Sequence, residues 1–167
     1  AAQGRDVRLH AQALDDRLLA GIGRIHSARQ AIQVLDQARR AGFENLSLDL
    51  IYGLPGQTLA DWQATLERAL ETHPRHVSAY ALILEEGTRL EASVRRGEVC
   101  LPDQDAVADM EGSLRRTMRA CGYRQYEISN WSLPGQECRH NLVYWANREY
   151  LGVGCGAASY LSGWKIG

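Results

Sequence analysis

Residues 47–58, SLDLIYGLPGQT, decide how this chain folds. With Leu46 ahead of them, Leu46, Leu48 and Leu50 fall on one side of an extended chain, and Ser47, Asp49 and Ile51 on the other. The run breaks at Gly53, Pro55 and Gly56, which punctuate a turn. Thr58, with Asp61 three residues on, then caps a helix in a variant of the capping box. A strand, a Gly/Pro loop and a capped helix make one βα step. Ligands of parallel α/β folds bind at the carboxyl ends of strands. Asp49, on the less apolar face just ahead of the loop, is therefore a candidate pocket residue. The competing reading is a solvated or helix-capping aspartate.

The same grammar extends in both directions. Upstream, Val7–Leu14 alternates weakly as a strand, and Asp15–Gly23 reads as a short helix or turn. Ser27 and Gln30 form a capping box that opens a helix ending near Gly42, with Ala31, Ile32, Leu35 and Ala38 on one face. Downstream, Leu59, Trp62, Leu66, Ala69 and Leu70 stripe a helix that stops before Pro74. Val77–Leu84 is apolar enough for a strand covered on both faces. Arg89–Arg96 predicts a short helix. Pro102 and Asp103 start the longest one, striped by Val107, Met110, Leu114, Met118 and Cys121. Tyr123–Ile128 predicts a strand, Ser129–Arg139 a loop, and His140–Asn147 one or two helical turns. The ordered pattern is expected to end with Tyr150–Tyr160.

Strands alternating with helices imply βα units and a parallel sheet with right-handed crossovers. Four or five strands are too few for a closed eight-stranded barrel. An α/β fold with an open, largely parallel sheet, or part of a larger barrel, is expected. Helices should cover one face, with Leu35, Leu48, Leu50, Trp62 and Leu66 buried together. The chain reads as one partial domain over residues 1–167, a fragment whose first strand is an unpaired edge.

The net charge of −1 gives no electrostatic footprint for nucleic acid or an anionic membrane. No apolar run reaches the length of a membrane span. Cys100, Cys121, Cys138 and Cys155 lie far apart and contain no CxxC pair, which argues against a zinc ribbon and fits a reducing, cytoplasmic compartment. Lys165 is the one lysine among 19 cationic residues. Arginine suits bidentate carboxylate binding, and genomic base composition produces the same bias.

DLIYGLPGQT (49–58), YEISNW (126–131), CRHNLVYW (138–145) and YLGVGCGA (150–157), in this order, resemble the oxygen-independent coproporphyrinogen III oxidase-like branch of the radical S-adenosylmethionine (radical SAM) proteins. The resemblance runs from about Gln12 to Ala158. It implies a partial (β/α) barrel with a [4Fe-4S] cluster and S-adenosylmethionine at its open end. The cluster loop of that family, CxxxCxxC, is absent, so the cluster is expected in the full-length protein only, outside this sequence. The resemblance carries S-adenosylmethionine contacts to Gln12, to Arg24 twelve residues on, and to Asp49, which would accept the ribose hydroxyls. Backbone contacts at Ile83 and Ala158 are looser matches whose alternative is ordinary packing. His10 stands where the family has glycine, and Ala158 where it commonly has histidine.

His140-Asn141-Leu142-Val143-Tyr144-Trp145 matches the HNxxYW motif of the family's heme-chaperone branch. The resemblance makes His140 a heme-iron ligand, with Asn141, Tyr144 and Trp145 around the porphyrin; the alternative is a hydrogen-bonded surface or cap histidine. His10, His26, His73 and His76 carry no comparable pattern. Three functions compete. The first is a chaperone that holds heme and passes it to an acceptor protein, with S-adenosylmethionine as a structural or regulatory ligand. The second is the radical oxidative decarboxylation of coproporphyrinogen. The third is an unrelated α/β enzyme using Asp49 or Glu127. The chain alone is expected to be inactive.

Overall fold

Both capping boxes form as their spacing predicts. The Ser27 hydroxyl accepts from Gln30 N–H at 3.2 Å and the Gln30 amide oxygen from Ser27 N–H at 2.8 Å. Thr58 and Asp61 make the same exchange at 3.1 and 2.8 Å. The computed structural model describes residues 6–166. Its elements are β1 (Asp6–Gln12), α1 (Asp16–Gly21), α2 (Ala28–Arg40), β2 (Asn45–Tyr52), α3 (Leu59–Glu71), β3 (His76–Ala81), α4 (Arg89–Arg95) and α5 (Gln104–Ala120). They continue with β4 (Arg124–Gln125), β5 (Asn130–Ser132), α6 (Arg139–Trp145), β6 (Ser159–Leu161) and β7 (Trp164–Ile166). They group into two compact units, Ala1–Gln136 and Glu137–Gly167.

In the first unit five strands lie in the order β1-β2-β3-β5-β4. The three long strands are parallel, and β5 and β4 add antiparallel beyond β3. β1 forms one edge among the described residues. Strand parity sorts the side chains. Leu46, Leu48 and Leu50 of β2 share a face with Val77 and Ala79 of β3 and Trp131 of β5, and all are buried. Leu35, Trp62, Leu66, Met110, Leu114 and Met118 join the same core, so α2, α3 and α5 cover this face. The Trp62 indole N–H donates to the Met110 carbonyl at 2.9 Å and ties α3 to α5.

The other face is polar. Ser47 and Asp49 pair with His76 and Ser78, which in turn pair with Ser132 and Asn130. This is the parity expected of the opening stretch.

Two segments depart from expectation. The strand predicted over Tyr123–Ile128 keeps two residues, because the chain reverses there. Tyr126 N–H bonds the Asn130 carbonyl at 3.2 Å, and the Glu127 carboxylate accepts from Ser129 N–H at 2.9 Å. The returning residues form β5 inside the segment expected to be a loop. In the second unit, β6 and β7 make a hairpin beyond the point where the ordered pattern was expected to end.

Candidate functional site

Strand β1 ends in an irregularity between Leu9 and Gln12, and Gln12 itself has φ +62°. A non-glycine residue held in that region costs about 1–3 kcal/mol. The twist turns Gln12 into a cleft at the carboxyl end of the parallel strands. Arg24 reaches the same cleft from the segment after α1, and Ile83 from just past β3. Ile51, Glu85 and Thr88 add to its wall. Three residues carried over by resemblance, from separate segments, thus share one site. At about 170 Å³, the cleft is smaller than the roughly 300–1,000 Å³ of sites that enclose a drug-sized ligand. A cleft of that size has room for only part of such a ligand. The loop beside it depends on Gly53, whose φ is +76° and where a Cβ would lie 3.4 Å from Val107 Cγ2.

Asp49 does not line that cleft. It is 5 % exposed on the polar face, and its carboxylate is already engaged. Arg8 Nε lies 2.8 and 2.9 Å from its two oxygens, and His10 Nδ1 lies 2.7 Å from Oδ2. Arg8 also donates to Ser78 Oγ at 2.6 Å and to the Tyr80 hydroxyl at 3.3 Å. His10, which stands where the resemblance expects a glycine, is thus one of the two groups holding the aspartate.

Beside this cluster, His76 bridges Ser47 Oγ (2.8 Å to Nδ1) and the Tyr126 hydroxyl (2.7 Å to Nε2). Burial, with the Arg8 guanidinium second, pushes its pKa down to about 4 against the opposing pull of the Asp49 carboxylate. The imidazole is neutral at pH 7. Both neighbours are hydroxyls that can donate or accept, so either tautomer satisfies the chain Ser47–His76–Tyr126. Sequence reasoning passed over His76, since its hydroxyl partners come from β2 and from the turn after β4. The only local signal was its place at the head of an apolar strand. On the same face Asn130 Oδ1 and Ser132 Oγ are buried without a hydrogen-bond partner among the described residues, the kind of group a polar ligand satisfies.

The second unit carries the other candidates. Helix α6 presents His140 and, one turn on, Tyr144, with ring centroids 4.7 Å apart and edge-on at 84°. Both are exposed, as is Trp145 at 60 %; Asn141 is half-buried on the same helix. Ala158, half-buried, places its carbonyl against Gly152, where any Cβ would collide with it. The resemblance attached Ala158 to the nucleotide; within its own unit its visible role is this backbone packing.

All four cysteines are free, three of them exposed. Among the described residues no three His, Cys, Asp or Glu side chains gather as a metal-binding group. No helix among them is long and apolar enough to cross a membrane.

The radical SAM superfamily profile matches residues 2–69. The chain is 43 % identical over 157 residues to a Lactococcus lactis protein named heme chaperone HemW, covering 94 % of this chain and 41 % of that protein. A Synechocystis protein of the same name is 43 % identical, covering 95 % of this chain and 39 % of its own length. The bovine mitochondrial radical S-adenosyl methionine domain-containing protein 1 is 43 % identical, with 87 % and 33 % covered. Among solved structures, the Escherichia coli coproporphyrinogen III oxidase HemN, a radical SAM enzyme, superposes with a TM-score of 0.75 at 20 % identity, over 92 % of this chain and 38 % of that one. That likeness speaks to the fold. The chain spans about two fifths of the length of these HemW relatives. Residues 2–69 thus match the radical SAM superfamily, and the chain is a homologue, over most of its own length, of the proteins named HemW.

Proposed function

We propose that this chain is part of a heme-trafficking chaperone, with His140 as the ligand to heme iron. The observation that carries the reading is the HNLVYW helix, which holds an imidazole and two aromatic side chains in the open on a chain 43 % identical to HemW proteins. The residues fit the cargo. Imidazole is a strong axial ligand, and Tyr144 and Trp145 offer flat amphipathic surface for a porphyrin. Asn141, or a carbonyl of the preceding loop, would fix the second ring nitrogen. An exposed site suits a protein that must both receive heme and release it to an acceptor protein. Residues 1–167 would then form the later part of a radical SAM core with the start of the following region, in a cytoplasmic protein whose free cysteines suit a reducing compartment.

The superfamily implies S-adenosylmethionine and a [4Fe-4S] cluster, which together supply radical chemistry when bound. The cleft would take one end of the nucleotide. Arg24 would pair with its amino acid carboxylate through charge-assisted hydrogen bonds, while Gln12 and the Ile83 backbone hold the remainder. Asp49 would grip the ribose hydroxyls only after exchanging His10 or Arg8 for them. The cysteines of this chain do not fit a cluster: all four are free, and none gathers with others as a metal-binding group among the described residues.

The oxidase reading shares the fold and lacks the histidine helix. Titration with ferric heme and with the iron-free porphyrin separates the two. Iron ligation predicts tighter binding of the heme, with an imidazole-type absorption spectrum. Equal affinity for both would favour a porphyrin-substrate site over a heme carrier.

A further inference from the structure

The imidazole of His140 sits on a seven-residue helix whose N-cap, Cys138, makes no side-chain cap bond. Such a helix orients a side chain poorly by itself, so something else must set the ring. The rings that follow it in space form a column. His140 meets Tyr144 edge-on at 4.7 Å, and Tyr144 meets Tyr150 edge-on at 4.4 Å and 70°. Tyr150 then stacks at 6.3 Å and 30° with Tyr160.

The backbone explains why the column exists. Asn147 adopts φ +49° at the end of α6. Arg148 N–H bonds the Val143 carbonyl at 2.9 Å and Asn147 N–H the Tyr144 carbonyl at 3.0 Å. This left-handed helix stop is of the Schellman type, and it sends the chain back so that Tyr150 returns beside Tyr144. Tyr150 is then clamped to Tyr160 by two reciprocal backbone hydrogen bonds of 2.9 Å. Tyr160 belongs to the β6–β7 hairpin. Each link is a ring contact or a backbone pair, and each lies within the second unit.

We propose that Tyr150 is a positioning residue. Its ring, anchored by the pairing with Tyr160, holds Tyr144 and through it sets the orientation of the His140 imidazole. Resting on the heme-ligand reading of His140, this makes the column the device that presents the ring nitrogen to iron. The edge-on geometry uses the aromatic ring and not the phenol hydroxyl, so phenylalanine should replace Tyr150 without loss.

The test compares Tyr150→Ala with Tyr150→Phe in the full chain. The first readout needs no heme: the NMR shift of the His140 Cε1 proton, which the Tyr144 ring current displaces from the value of a free histidine. Tyr150→Ala should move it toward that value, and Tyr150→Phe should leave it in place. The second readout is ferric heme release to apomyoglobin. Tyr150→Ala should accelerate it roughly three- to tenfold, the size of one aromatic pair contact, with Tyr150→Phe unchanged. If the alanine variant does not fold, Tyr150→Leu fills the space without a ring and carries the same expectations. An unmoved His140 signal in Tyr150→Ala or Tyr150→Leu overturns the proposal, as does a phenylalanine variant that behaves like alanine. If His140→Ala leaves the heme spectrum unchanged while the NMR shifts respond as expected, the heme-ligand reading falls and the positioning contact stands.

Discussion

On the polar face of the sheet, Asp49 is 5 % exposed and held by Arg8 and His10, and His76 is closed between two hydroxyls. On α6, Trp145 is 60 % exposed, and Tyr144 and His140 lie open beside it. The first region shows what burial demands of polar groups: each charge finds a partner, because an unpaired one costs several kcal/mol. The second keeps aromatic surface in water, which the fold does not require and a flat ligand can use. The first region satisfies its charges within the fold and leaves only Asn130 Oδ1 and Ser132 Oγ without a partner among the described residues; the second leaves its rings exposed.

Two tryptophans extend the contrast between enclosed and open side chains most severely, Trp62 lying in the apolar core on the other face of the sheet. Trp62→Ala removes a buried ring and its bond to Met110, and should cost about 3–5 kcal/mol. Trp145→Ala should change stability by no more than about 0.5 kcal/mol while weakening heme retention. Urea unfolding of both variants reads the stability difference, and similar costs would erase the distinction between the regions.

The buried histidine predicts a pH dependence. The folded pKa of His76 is depressed to about 4, so between that value and its ordinary 6.5 the unfolded chain binds the extra proton. Stability is therefore full above pH 6.5 and falls as the pH drops toward 4. The window of about 2.5 units is worth roughly 3 kcal/mol at 1.36 kcal/mol per unit. His76→Gln should flatten this component of the pH profile of the urea midpoint. An unchanged slope would show that other groups dominate it.

Smaller effects test the ribose reading. In the full-length protein, Asp49→Ala should weaken S-adenosylmethionine binding about 10- to 100-fold, the worth of a charge-assisted hydrogen bond of roughly 1.5–3 kcal/mol. His10→Gly vacates one carboxylate oxygen and should strengthen binding about two- to tenfold. Calorimetry decides between this and a purely structural carboxylate, for which His10→Gly would bring no gain.

The parts read correctly in the sequence are those set by near neighbours. Ser27 with Gln30 and Thr58 with Asp61 are three residues apart, and Leu46, Leu48 and Leu50 declare their face by parity alone. Gln12, Arg24 and Ile83, named through the resemblance, line one cleft, whose walls at Glu85 and Thr88 no local pattern marked. What escaped depends on distant partners. Strand β5 has three residues, too few for a period, and exists because Ser132 pairs with His76 across the sheet. The grip of Arg8 and His10 on Asp49 joins adjacent strands whose register comes from the tertiary fold. The tyrosine column depends on a helix stop that folds Tyr150 back toward Tyr144.

The central claim is tested most directly by the absorption spectrum of ferric heme bound to the full-length protein, its His140→Ala variant and its Cys138→Ser variant. Cys138 lies two residues from His140, and a thiolate ligand gives a spectrum distinct from that of imidazole. The account predicts an imidazole-type spectrum in the parent, its loss in His140→Ala and its retention in Cys138→Ser. An unchanged spectrum in His140→Ala would contradict it.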